Sequence, residues 1–251
     1  GLFDETAISG KALLKSLTPD EWSAEKPVLY EVIITVKSAE KIFEVIRTYI
    51  GFRDIRIEGE VFRFNSKAIK LLGVNHHDTH MTKGYAMSLD DLELDVKLMK
   101  EYNVNCVRTS HYPPDPAFLT MCDFYGLYVV DEADIETHGF YATPGTYRPN
   151  RLSNNLKWAP RYLDRVSRMY QRDKNHPSVT MWSLGNEAGG TYNTDKEYDY
   201  LKRFSTLPVH YESAVHTRKK AYDGASEMYP PSERVHEIGE KKYKVKQFCD
   251  R

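Results

Sequence analysis

The feature that most constrains this chain is a repeated one. From about residue 66, short apolar runs end in clusters of polar residues, and amphipathic helical stretches separate them. Ile69–Val74 leads into Asn75-His76-His77-Asp78, and Val104–Val107 into Arg108-Thr109-Ser110-His111. Leu127–Val130 leads into Asp131-Glu132, and Val179–Leu184 into Gly185-Asn186-Glu187. Ser88 is placed as an N-cap, with Asp91 in the position of a weak capping box. Leu92, Val96 and Met99 then mark one apolar helix face. Pro116–Tyr125 is a second helix, closed by Gly126 as a left-handed cap. A third, from about Trp158 to Arg172, is expected to turn Leu163, Val166 and Tyr170 inward. Asp195–Phe204 reads as helix, and Val209–Tyr211 and Ala225–Met228 as further strands.

Such alternation implies parallel βα units. Open α/β sheets and (β/α)8 barrels both carry their chemistry at the C-terminal ends of the strands. No glycine-rich phosphate loop follows the first strand, which argues against a nucleotide-binding sheet and for a barrel. Five or six strand–helix steps are visible where a barrel needs eight. The upstream runs Val28–Val36, Ile42–Tyr49, Phe52–Ile57 and Val61–Phe64 read as antiparallel strands. They are too few for an immunoglobulin-type sandwich of about seven, so they belong to part of one or pack on something else. The expected fold is α/β: part of an immunoglobulin-like β-sandwich over residues 1–65, then an incomplete TIM (β/α)8 barrel over residues 66–251. Open barrel edges favour self-association, so a homo-oligomer is expected.

Composition narrows the class of partner. Lys and Arg number 35 against 36 Asp and Glu, a net charge of −1 that suits neither nucleic acid nor an anionic membrane. No apolar run approaches the roughly 20 residues of a membrane span. Three widely spaced cysteines (Cys106, Cys122 and Cys249) suggest a reducing, cytoplasmic setting, with Cys106 and Cys122 as core packing.

Two strand tips carry the strongest chemical signal. Asp131-Glu132-Ala133-Asp134-Ile135-Glu136-Thr137-His138 sets four carboxylates and an imidazole in eight residues. Clustered carboxylates need a compensating cation or arginine. Glu136 and His138, two apart, face the same side of an extended loop, and oxygen-rich ligation with one imidazole suits Mg2+ or Mn2+ over structural zinc. Glu187, beside Asn186 at a strand end, is placed for general acid/base work, and Asn186 to bond a sugar hydroxyl. Asp131 and Glu132 are conceivable second carboxylates. Trp182 reads as barrel wall, and Glu240–Lys246 as a solvated run.

Taken together, GVNHHD (Gly73–Asp78), VRTSHYP (Val107–Pro113), CDFYGLYVVDEADIETHG (Cys122–Gly139), RDKNHPSVTMWSLGNE (Arg172–Glu187) and PVHYES (Pro208–Ser213) resemble the bacterial β-galactosidases of glycoside hydrolase family 2. WSAEKPVLY (Trp22–Tyr30) and GFRDIRIE (Gly51–Glu58) look like the sandwich domain before the barrel in that family. The resemblance implies a retaining hydrolase that releases terminal β-galactose from a β-galactoside such as lactose. It gives Glu187 the catalytic acid/base role, and Glu136, His138 and Glu187 the ligation of Mg2+, with a monovalent cation also accommodated in the parent enzyme. It also implies that His77, His111, Asn186 and, more loosely, Tyr229 contact substrate. The family's nucleophile is a second Glu in a Cys-Glu-Tyr-type motif, which this sequence lacks. Phe248-Cys249-Asp250-Arg251 stands about where that strand is expected to begin. The expectation is therefore half a site, inactive alone. A noncatalytic sugar- or metal-binding fragment or subunit, or a hydrolase of another β-glycoside such as a glucuronide, is the alternative.

Overall fold

A computed structural model describes residues 18–39, 41–140, 151–189, 192–212, 214, 222–224 and 226–242. Most of the Ser213–Ser226 loop, the end of the Glu240–Lys246 run and Phe248–Arg251 lie outside the described residues.

Strands β1 (Tyr30–Ser38) and β2 (Lys41–Ile50) form a two-stranded antiparallel ribbon, with Tyr30 opposite Ile50. Its Val, Ile and Phe side chains, among them Ile33, Ile34, Phe43 and Val45, are exposed on both faces. Among the described residues no layer packs over this two-stranded ribbon to bury them. Strands β3 (Ile55–Glu58), β4 (Val61–Phe64) and β5 (Lys67–Ala68) do not join that ribbon but form a separate antiparallel sheet. The ribbon is the described part of the expected sandwich ahead of the barrel, while β3 and β4 pack on the parallel sheet. Ile55 and Phe64, with Trp22 and Ala24, pack against Cys106, Tyr128 and Val130 of the parallel sheet.

That sheet comprises β6 (Gly73–His76), β7 (Cys106–Thr109), β8 (Tyr128–Glu132), β9 (Val179–Ser183) and β10 (Val209–His210). All neighbours are parallel and in sequence order, as at the start of a (β/α)8 barrel. Alternation sorts the side chains, interrupted by a bulge in β9 between Val179 and Met181 that returns Trp182 to the side of Val179. Val107, Val129, Val179 and Trp182 meet the helix layer, while Cys106, Tyr128 and Val130 meet the β3–β4 side. Trp182 is thus wall, its Nε1 donating to Ser205 Oγ at 3.0 Å.

The helices α1 (Leu89–Glu101), α2 (Pro116–Tyr125), α3 (Arg151–Asn154), α4 (Ala159–Asp173), α5 (Tyr192–Phe204) and α6 (Ser232–Gly239), with short 3-10 turns at His138–Phe140 and Leu156–Trp158, complete the described elements. The capping box forms as read: Ser88 Oγ accepts from the Asp91 amide and Asp91 Oδ2 from the Ser88 amide, and Leu92, Val96 and Met99 are buried. Gly126 caps α2 at φ +78°, where a Cβ would also lie 2.3 Å from the Ala24 carbonyl oxygen. On α4 the buried face is Ala159, Tyr162, Val166, Met169 and Asp173. Val166 is as expected and Tyr170 packs on the core from the edge of this face, against Trp182, Tyr200 and Phe204, while Leu163 is only half-buried because the face is centred one position earlier. Residues 226–228 form no strand, contrary to expectation.

Glu197 of α5 is fully buried, and neither carboxylate oxygen has a hydrogen-bond partner among the described residues. Burial alone pushes its pKa well above the usual carboxylate range. In the unfolded chain it ionises near 4.5. Stability from this group is therefore greatest below that value and declines as pH rises toward the elevated folded pKa. Glu197→Leu is expected to raise stability at pH 7 by about 1–3 kcal/mol and flatten that decline, which urea unfolding at pH 5 and pH 7 will measure.

Candidate active site

The C-terminal ends of β8 and β9 are drawn together beyond the sheet. Glu136 bridges to Asn186, whose amide N donates to the Ile135 carbonyl at 2.9 Å. Gly185 permits this approach: its φ is +122°, and a Cβ there would sit 2.5 Å from the Ile135 carbonyl oxygen.

The convergence brings Glu136, His138 and Glu187 into one cluster, with one donor atom from each within 4.8 Å of the others. His138 Nδ1 contacts Glu187 Oε2. Asn186 Nδ2 donates to Glu136 Oε2 at 2.8 Å, and the Glu187 amide donates to Glu212 Oε2 at 3.1 Å. Two carboxylates and one imidazole, half open to solvent, make a donor set that fits a hard divalent cation retaining several waters. Glu136 and His138 are exposed, and Glu187 is half-buried.

Beside the cluster lies a buried network that sequence reasoning did not assign. Arg108 donates to Glu132 through Nε at 2.5 Å and NH2 at 2.9 Å, and through NH2 to Asn186 Oδ1 at 3.1 Å. His111 Nδ1 lies 2.7 Å from Glu132 Oε1, and Ser183 Oγ donates to Glu132 Oε2 at 2.6 Å. Burial alone would raise the Glu132 pKa. The hydrogen bond from His111 and the charge and hydrogen bonds of Arg108, with Ser183, outweigh it and hold the pKa below the ordinary range. With Nδ1–H donated to Glu132, His111 keeps Nε2 for other partners. The His77 ring stands edge-on to His111 with centroids 5.3 Å apart, and its Nδ1 lies 3.3 Å from the Tyr112 hydroxyl. Burial and the neighbouring His111 lower the His77 pKa.

Asp131 and Glu132 therefore have separate fates, and neither is a free second carboxylate. Asp131 points to the helix layer, where Thr109 Oγ1 donates to it at 3.4 Å and Asp173 of α4 is its neighbour. Burial, and then the Asp173 charge, raise its pKa well above the usual range. Glu132 is committed to Arg108, His111 and Ser183. Tyr229 is 92% exposed, in the segment before α6. The signal for Arg108 was available in the alternation of β7, since it lies two residues beyond the inward Cys106, but its partner required the strand register.

The family described as glycosyl hydrolases family 2, TIM barrel domain, matches residues 55–249, and glycosyl hydrolases family 2 matches residues 3–53. A β-galactosidase of Pectobacterium atrosepticum is 45% identical over 213 residues, covering 84% of this chain and 20% of that protein. One of Streptococcus thermophilus is 40% identical over 221 residues, covering 86% of this chain and 22% of that protein. The chain thus spans about a fifth of the length of these relatives. Among solved structures, a β-glycosidase from Bacteroides vulgatus superposes with a TM-score of 0.63 at 30% identity, over 77% of this chain and 24% of that one. The fold is shared with Bacteroides uniformis β-glucuronidase 3, with a TM-score of 0.67 at 21% identity, over 82% of this chain and 26% of that one. The matched barrel domain spans most of the chain and fits the ordered parallel sheet: the chain belongs to glycosyl hydrolases family 2.

Proposed function

We propose that this chain carries the acid/base and cation-binding half of a retaining β-galactosidase acting on β-galactosides such as lactose. The observation that carries the reading is the convergence of Glu136, His138 and Glu187 beside Asn186. Identities of 40–45% to β-galactosidases favour a galactoside over a glucuronide. In this reading Glu187 protonates the departing glycosidic oxygen and later takes a proton from water. Asn186 holds the sugar hydroxyl next to the reacting carbon, and His77 and His111 line the sugar. Glu136, His138 and Glu187 hold Mg2+, or Mn2+ in its place, which when bound supplies positive charge that tunes the acidity of the site. The buried, free thiols of Cys106 and Cys122 fit a reducing, cytoplasmic setting.

Titration of the 251-residue protein with Mn2+, followed by its electron paramagnetic resonance signal, tests the centre. Binding that Glu136→Gln weakens at least about tenfold is expected; no binding at millimolar Mn2+ rejects the cation reading. Retention also needs a second carboxylate about 5–5.5 Å from the acid; Asp131 and Glu132 are both otherwise engaged, and Glu212 accepts from the Glu187 backbone amide. Nitrophenyl β-galactoside is therefore expected to stay intact with these residues alone, and brisk release of nitrophenol would contradict the half-site assignment.

The apolar β1–β2 ribbon and the exposed β6 edge support self-association. Light scattering is expected to show species larger than a monomer, reduced by Phe43→Lys; a monomer at high concentration would count against it.

A further inference from the structure

A line of hydrogen bonds crosses the open sheet from β10 to the carboxylate–imidazole cluster, and counting protons assigns its direction. Parallel pairing sets His210 beside Ser183. Ser183 Oγ lies 2.6 Å from Glu132 Oε2 and 2.9 Å from His210 Nδ1. A hydroxyl has one proton, and an ionised carboxylate only accepts. Ser183 therefore donates to Glu132 and accepts from His210 Nδ1–H. The other ring nitrogen, Nε2, lies 3.3 Å from Ser226 Oγ and accepts from that hydroxyl. Burial, and after it the charge of Arg108, lower the His210 pKa to about 4 against the opposing pull of Glu132 and Glu212. The ring is neutral at pH 7 and held as the Nδ1–H tautomer.

The line continues through Glu132 to Arg108, and from Arg108 NH2 to Asn186 Oδ1. This last contact decides how the Asn186 amide is turned. With Oδ1 on the guanidinium, Nδ2 faces Glu136 Oε2. The reverse orientation would set an NH2 against a guanidinium and an oxygen against a carboxylate. Glu132 and Ser183 are fully buried and Asn186 nearly so, so water does not replace the missing links if one is cut.

We propose that His210 is a positioning residue for the cluster at the strand tips: through Ser183, Glu132 and Arg108 it fixes the Asn186 amide, and so the Glu136 carboxylate. The destination of the relay is the site proposed above, but the orientation of the amide does not require a bound cation.

The test uses two readouts on the 251-residue protein. The first is hydrogen-exchange protection of the Asn186 side-chain NH2, by 15N NMR without metal. The second is Mn2+ affinity. His210→Leu removes the Nδ1–H donor and is expected to lower Asn186 protection at least tenfold and Mn2+ affinity by about 10–100-fold, the range for residues behind a metal ligand. His210→Asn, whose amide nitrogen can stand in for Nδ1–H, is expected to restore most of both. Ser183→Ala cuts the next link with a much smaller change and gives the same loss, which keeps the test decisive if His210→Leu does not fold. Should the wild-type chain bind no Mn2+, the cation reading falls, and Asn186 protection alone decides the relay. Wild-type protection in both His210→Leu and Ser183→Ala would overturn it, as would a loss that His210→Asn fails to rescue.

Discussion

Arg108→Met is expected to destabilise the protein by about 3–5 kcal/mol, because it leaves Glu132 as an uncompensated buried carboxylate. Glu132 is fully buried, and both arms of Arg108 reach it. The wild-type pair need not add much net stability, since desolvating both ions offsets their attraction. Removing one partner is different, because the desolvation cost of the other remains. Urea unfolding should therefore show a large loss in Arg108→Met and recovery of most of it in Arg108→Met/Glu132→Leu. A double variant no more stable than the single one would contradict this. The pH dependence carries a second signature. The Glu132 pKa is depressed in the fold, so its contribution is present above the unfolded value of 4.5 and is lost as pH falls through the folded pKa. Without Arg108 a main depressing influence is gone and burial raises the pKa. The variant should then become relatively more stable as pH is lowered toward 4.5, the opposite slope to wild type for this group.

The second large effect is expected at Trp22. This side chain is fully buried, with ring centroids 5.9 Å from Phe64 and 6.0 Å from Tyr128. Its Nε1 donates to the Asp123 carbonyl at 2.8 Å, its amide N to Phe52 O at 2.8 Å, and its own carbonyl accepts from Asn65 Nδ2 at 2.9 Å. One residue thus joins the segment before β1, the β3–β4 hairpin and the parallel sheet. Trp22→Ala is expected to cost about 3–5 kcal/mol, the usual range for emptying a buried aromatic site. Trp22→Phe keeps a ring but leaves the Asp123 carbonyl without its donor, and should cost less, with about 1 kcal/mol from the hydrogen bond. Denaturant midpoints for the two variants will rank them. Equal losses would mean that the hydrogen bond, and not the ring, holds the three segments together.

The parts of the fold that were legible in the sequence are those set by local rules. The helix Pro116–Tyr125 is bounded by Asp115, Pro116 and Gly126, each acting on its immediate neighbours. The Ser88–Asp91 box and the face of Leu92, Val96 and Met99 need only helical spacing. Helix α4 shows where this stops. Its buried face centres on Tyr162, Val166 and Met169, with Tyr170 at the border against Trp182 and the α5 residues Tyr200 and Phe204, an offset that depends on how α4 meets α5 and that apolar spacing alone does not fix.

The candidate site divides in the same way. Residue types at the strand tips singled out Glu136, His138, Asn186 and Glu187, because a polar cluster after a buried strand has few structural uses. Their approach within one cluster depends on β8 and β9 being neighbours and on Gly185 letting Ile135 come close. Asp131 and Glu132 are adjacent carboxylates that the sequence leaves nearly equivalent. Strand alternation sends one toward Asp173 and the other toward Arg108, and only the sheet determines which face carries which partner. The chain's own order of residues determined the βα grammar and the chemical inventory, since both rest on contacts a few positions apart. The tertiary structure decided which charges are paired, which carboxylates are spent, and that His210 reaches Asn186, because those contacts join residues from separate strands whose register no local pattern encodes.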